Sequence, residues 1–321
     1  MSVSSLPDRS VARRIPADAV VDTLTMDDGW PVRRFSRAVA ADGPVRGSIL
    51  FLGGRGDFIE KYLETLDHWH RGGWHVTSAD WRGQGGSGRF TANARVGHVP
   101  DFAVWLADLV TMFDRWRAET PGPHVIMAHS MGGHLLARSL ADRAIDPVAA
   151  VLIAPMMGFK APYPDRLGIC IAAVMRRLRG AETAAWKESE KPGASMQMRQ
   201  LLLTHDPDRY ADELWWRQQN PLVQLGPASW GWVEQAYRSF LDVARPGRLE
   251  GIITPMLILF TSADALVSPA ATRRDAARIP GVQVHEYGSE AAHEVLREAD
   301  SIRDDALARI DRFLDEKAPP A

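Results

Sequence analysis

The sequence predicts an α/β fold, in which a mostly parallel, doubly wound sheet is interrupted by a helical insertion. Three observations carry that prediction. Short apolar runs alternate with segments of helical periodicity, as the crossovers of a parallel sheet require. The alternation stops at Pro155 and resumes at Met256. One apolar run, 124–129, leads directly into Ser130-Met131-Gly132-Gly133. The 321 residues, 45% hydrophobic and 24% charged, supply an ample core. The single cysteine, Cys170, cannot form an intrachain disulfide.

In chain order, residues 20–26 and 32–39 read as an opening pair of strands. Residues 45–52 are an apolar strand ending in Gly53-Gly54-Arg55-Gly56, and helical spacing follows over 58–69. Next come a strand at 74–79, a glycine-rich loop at 81–88 and an amphipathic helix over 101–117. The strand at 124–129 precedes a helix over 131–142, and 148–154 is a further buried strand. From 156 to 250 there are helical patterns and prolines but no convincing buried strand. An insertion of roughly ninety residues exceeds ordinary loop lengths and is usually functional. The sheet pattern returns with a strand at 256–260, a helix near 270–278, a strand at 282–287 and a last helix near 302–316. The expected division is therefore a core made of 1–155 and 251–321, with the insertion 156–250 between them. Residues 1–15 carry Arg9, Arg13 and Arg14 but no apolar run, and are expected to be a disordered lead of a cytoplasmic protein.

The chemistry centres on Ser130. A tight strand-to-helix turn lifts a serine hydroxyl over the sheet end and needs small residues two before and two after it. These are Ala128 and Gly132. Serine is also a favoured N-cap, so the pentapeptide needs partners to acquire meaning. Asp264 follows the strand at 256–260, and His293 follows the strand at 282–287. Both lie at the carboxyl edge of the sheet, in the order serine, acid, histidine. The imidazole can take the serine proton, and the aspartate fixes its tautomer. Asp242 is the reserve acid. Within its strand, His285 reads as structural or surface, His129 is expected to face away from the site, and Glu290 and Glu294 read as solvated loop charges. The backbone N–H groups of Met131 and Arg55 are the expected oxyanion donors, the second on a loop whose glycines permit the turn.

These residues carry a resemblance. Gly54-Arg55-Gly56-Asp57-Phe58, Asp80-Trp81-Arg82-Gly83-Gln84-Gly85, Gly97-His98-Val99, His129-Ser130-Met131-Gly132-Gly133 and His293-Glu294-Val295-Leu296 together resemble one branch of the α/β-hydrolases. It is the branch of bacterial lysophospholipases and monoacylglycerol lipases. The resemblance implies a nucleophile at Ser130, an acid at Asp264 and a base at His293, with 156–250 as a lid. It differs where the family's His-Gly pair is Gly53-Gly54 here, which leaves the Arg55 role open.

Other classes are weaker. Gly83, Gly85 and Gly88 spell a nominal G-x-G-x-x-G, but no helix starts at Gly88 as a dinucleotide would need. His68 and His70 lie on different faces of a helix, so no metal site is expected, and the expected chemistry calls for no other cofactor. A formal net charge of −2 gives no footprint for nucleic acid. The expected partner is a small-molecule ester with an acyl chain. Small-ester carboxylesterase, thioesterase and amidase activities on the same triad stay open, as does a non-catalytic binder on the same fold. Met156, Trp215 and Trp216 are candidate substrate contacts, joined by Trp230, Trp232, Met196 and Met198. The tryptophans serve equally well as the insertion's own core. Residues 166–178 are apolar and close on Arg176, Arg177 and Arg179. They read as a helix packed on the sheet domain or, alternatively, as a peripheral membrane contact.

Overall fold

A computed structural model describes residues 9–40, 43–187 and 196–320. It contains an eight-stranded sheet: β1 (Val20–Thr25), β2 (Pro31–Arg37), β3 (Gly47–Leu52), β4 (Trp74–Ala79), β5 (His124–His129), β6 (Ala149–Ile153), β7 (Met256–Thr261) and β8 (Gln283–Tyr287). The spatial order is β1-β2-β4-β3-β5-β6-β7-β8. β1 and β2 pair antiparallel, as does β2 with β4, and the other pairings are parallel.

Alternation along the strands divides the core into two layers. Leu50, Leu52, Ile126, Ala128, Ala150 and Leu152 face one side, packed with α2 (Phe102–Glu119) and α3 (Ser130–Ala141). Ile49, Phe51, Val125, Met127, Val151 and Ile153 face the other, packed with α1 (Leu63–Arg71) and α9 (Asp300–Lys317). Between β7 and β8 lies α8 (Pro269–Ala276). Because both faces are covered, β3, β5, β6 and β7 are buried along nearly their whole length and carry near-continuous apolar runs.

Between β6 and β7 the described chain forms α4 (Asp165–Arg179), α5 (Met196–Leu203), α6 (Pro207–Gln219) and α7 (Trp230–Val243), and no strand. Local sequence starts the last two. Asp206 accepts the N–H groups of Asp208 and Arg209 with Pro207 at the first position, and Ser229 accepts the Trp232 N–H. Phe159, Trp232, Tyr237 and Phe240 extend the first core layer into this insertion.

The expected disordered lead is corrected in part. Residues 1–8 lie outside the described residues, but Arg9–Arg13 form a 3₁₀ turn. Ala12 is buried, its carbonyl accepts the Trp216 indole N–H at 2.7 Å, and Arg13 pairs with Asp212. Two contacts to α6 thus order a segment that has no apolar run of its own.

Candidate active site

β5 ends at His129, and the backbone turns at Ser130 with φ of +51°, a left-handed conformation rare for a residue with a side chain. The turn brings α3 against the end of β3 so closely that a Cβ on Gly132 would overlap the Gly53 carbonyl oxygen. A Cβ on Gly54 would sit 2.8 Å from that of Ser130. Ala128 fits without exposure, so the missing glycine there costs nothing in packing.

Ser130 Oγ lies 3.0 Å from His293 Nε2, and His293 Nδ1 lies 2.6 Å from Asp264 Oδ2. The other Asp264 oxygen accepts the N–H groups of Leu266 and Val267 at 2.8 and 3.0 Å. All three side chains are buried. Burial opposes the His293 imidazolium, but the charge and hydrogen bond of Asp264 outweigh it, and the His293 pKa stands above its ordinary value. Burial likewise opposes the Asp264 carboxylate, and His293 with the two N–H groups holds its pKa below the usual value. With the proton on Nδ1, Nε2 is free to accept the Ser130 hydroxyl proton. This arrangement can support nucleophilic acyl transfer.

The Arg55 loop is held from both sides. The Gly54 N–H donates to Asp57 Oδ2 at 2.6 Å, and the Gly56 N–H donates to Gln84 Oε1 at 2.6 Å. Asp57 also accepts the Tyr62 hydroxyl at 2.9 Å and lies 2.8 Å from His129 Nδ1. His129 is therefore not turned away from the site. Its ring centroid is 4.8 Å from that of His293, and it lines the same cavity. The His129 backbone stays extended, with φ of −100° and ψ of 139°, and its ring is held there by Asp57 and the Tyr62 hydroxyl.

That cavity, about 210 Å³, is bounded by Ser130 and His293 and by Met156, Phe159, Leu225 and Trp232. Met156, a candidate substrate contact, is among the residues that line it. Trp215 and Trp216 do not line the cavity. Their rings stack edge-on at 4.8 Å, Arg13 sits over Trp215, and Trp216 binds Ala12. They lie on the face of α6 that meets the N-terminal turn. The side chains of Met196 and Met198 lie outside the described residues.

Glu294 is corrected as well. It is buried, not solvated, and pairs with Lys61 and Arg297. Lys61 also meets Asp57 at 2.6 Å and Glu213 at 3.3 Å, and Glu213 meets Arg297 at 2.8 Å and Arg217 at 2.6 Å. These six charges tie α6 to the turn after His293. Sequence reasoning missed them, although Asp57/Lys61, Glu213/Arg217 and Glu294/Arg297 stand at the spacings of helical ion pairs. Glu290 is exposed. Asp242 pairs with Arg138, Arg245 and Arg248, and His285 stacks on Tyr287. The Gly83–Gly88 loop wraps a buried carboxylate: Asp80 accepts the N–H groups of Gly86 and Ile59, and a Cβ on Gly85 would strike it.

Residues 43–300 match the family model described as serine aminopeptidase, S33. The chain belongs to this hydrolase family. Among curated relatives, lysophospholipase L2 of Escherichia coli K12 is 29% identical over 286 residues, spanning 84% of this chain and 80% of that protein. A Haemophilus influenzae protein named "Probable lysophospholipase L2" is 24% identical over 281 residues, 87% of each chain. The fold matches a soluble variant of monoglyceride lipase from Saccharomyces cerevisiae, solved with a substrate analog. That match has a TM-score of 0.74 at 16% identity and covers 94% of this chain and 97% of the other.

Proposed function

We propose that this S33-family protein is a serine hydrolase that cleaves carboxylic esters of single-chain lipids through an acyl-enzyme on Ser130. The observation that carries the reading is the Ser130–His293–Asp264 chain of hydrogen bonds, 3.0 and 2.6 Å, at a strained strand-to-helix turn. His293 takes the Ser130 proton as Oγ attacks the ester carbonyl. The backbone N–H groups of Met131 and Arg55 receive the oxyanion. His293 then returns the proton to the leaving alcohol, and water repeats the sequence on the acyl-enzyme. His293 and Asp264 act as base and orienting acid.

The substrate class rests on the curated lysophospholipase L2 relatives and on the apolar wall formed by Met156, Phe159, Leu225 and Trp232. The family description names a peptidase, and an aminopeptidase needs a carboxylate for the substrate's ammonium group. The cavity carboxylates Asp57 and Glu294 are both engaged by Lys61, which favours the ester. On this reading residues 156–250 are a lid over Ser130.

The reading extends to a lipid surface. α4 packs its small residues Gly168 and Ala172 toward α7 and leaves Leu167, Ile171, Val174 and Leu178 exposed at 49, 37, 57 and 72%. Arg166, Arg177 and Arg179, also exposed, flank that stripe and suit anionic headgroups. No helix among the described residues is long and apolar enough to cross a membrane. The exposed apolar stripe with its flanking arginines supports the reading of a cytoplasmic enzyme that meets the bilayer at its surface.

The test is fluorophosphonate labelling together with turnover of lysophosphatidylcholine, monoacylglycerol and p-nitrophenyl esters of rising length. Ser130→Ala should abolish labelling and lower kcat on the order of 10⁴-fold or more. Turnover retained within about tenfold would overturn the reading.

A further inference from the structure

The cavity beside Ser130 carries more positive charge than its internal pairs absorb. Lys61, Arg217 and Arg297 are matched one for one by Asp57, Glu213 and Glu294. Two further cations, Arg55 and Arg199, line the same cavity. Neither makes an ion pair among the described residues, and the Nε atom of each is buried without a hydrogen-bond partner. Arg55 reaches away from its own backbone to donate to the Gly226 carbonyl at 2.6 Å, with its guanidinium over the Trp232 ring at 5.3 Å. Burial, reinforced by the charge of Arg199, pulls the Arg55 pKa down to about 9. Two guanidinium groups that no carboxylate among the described residues pairs are costly in an enclosed site unless an anion joins them.

We propose that Arg55 and Arg199 form an anion subsite next to the nucleophile, and that its ligand is the phosphate of a single-chain phospholipid ester. The inference rests on the ester-hydrolase reading above and narrows its substrate. The acyl carbonyl must lie at Ser130, within reach of the Arg55 N–H. The Arg55 guanidinium is one side-chain length further on. An anion bound there while the ester reacts is therefore a group several bonds from the carbonyl, not the carboxylate product. Phosphate suits the site because its oxygens accept from two guanidinium forks at once. A neutral glycerol headgroup would leave both arginines unanswered.

The experiment compares 1-octanoylglycerol with 1-octanoylglycerol 3-phosphate, both below their aggregation thresholds, on the full chain. The phosphorylated ester should have a kcat/KM higher by about tenfold or more, as a charged hydrogen bond permits. Arg199→Gln should bring the ratio of the two esters close to one, and Arg199→Lys should restore part of it. Binding of the phosphorylated ester to Ser130→Ala protein, with and without Arg199→Gln, reads the same subsite without turnover. A ratio unchanged by Arg199→Gln, with both esters hydrolysed, would overturn the subsite alone. Inhibition by inorganic phosphate without preference for the phosphorylated ester would assign the arginines to free phosphate and overturn the substrate assignment. Hydrolysis of neither octanoyl ester would instead strike the lipid-ester reading itself.

Discussion

At the scale of single residues, the pH dependence follows from His293. Only its neutral form can accept the Ser130 proton, so kcat/KM falls as pH drops through its pKa. Burial opposes the imidazolium, and Asp264 more than offsets that, raising the pKa. The acidic limb should therefore lie above pH 6.5, the ordinary imidazole value. Asp264→Asn leaves the burial and removes the charge, so the limb should move to lower pH while kcat drops on the order of 10⁴-fold. Asp242→Asn should change neither, because Asp242 serves Arg138, Arg245 and Arg248. A pH–rate profile of the three proteins checks both statements. Sequence could place Ser130, Asp264 and His293 because each sits just past a strand, where chain order alone brings it to the carboxyl edge. It could not orient His129 or bury Glu294. Their surroundings come chiefly from Asp57, Lys61 and Tyr62, which are distant in sequence.

At the scale of elements, strand-and-helix order was legible because central strands buried on both faces carry near-continuous apolar runs, as in β3, β5 and β6. The insertion was less so. The periodicity of α6 says that Trp215 and Trp216 are partly buried but not against what, and the partner is the 3₁₀ turn at Arg9–Arg13. Chain-length preference should consequently respond to Phe159→Ala and Trp232→Ala, which line the cavity. Each methylene held there contributes roughly 0.8 kcal/mol, so the rise of kcat/KM with ester length should flatten. Trp215→Ala with Trp216→Ala should leave that slope alone and lower thermal stability by about 1–3 kcal/mol. Rates on the p-nitrophenyl series and melting curves separate the two pairs. The exposed stripe of α4 makes its own prediction. Val174→Asp with Leu178→Asp should weaken sedimentation with phosphatidylglycerol vesicles by about tenfold or more while sparing hydrolysis of p-nitrophenyl acetate. Sequence left this helix between two readings. Gly168 and Ala172 are buried and Ile169 packs on the core while the stripe beside them is exposed, and the vesicle measurement decides between the two.

At the scale of the whole molecule, the sheet supplies the platform, and one buried cluster decides where the insertion sits on it. Its members come from the far ends of the chain: the Lys61–Glu294 pair spans 233 positions and the Glu213–Arg297 pair 84. Contacts of that separation form late, after the loops between them have closed. During synthesis Lys61 and Glu213 emerge well before Glu294 and Arg297, so an incomplete cluster would hold unanswered charge in a dry site. Until the segment bearing Glu294 and Arg297 has left the ribosome, α6 has no neutral seat, and the pocket that admits lipid has no fixed wall. Assembly of the pocket is thereby timed to the arrival of the segment that bears His293. A nascent chain lacking that segment has neither the His293 base nor the partners that fix the Glu213 wall.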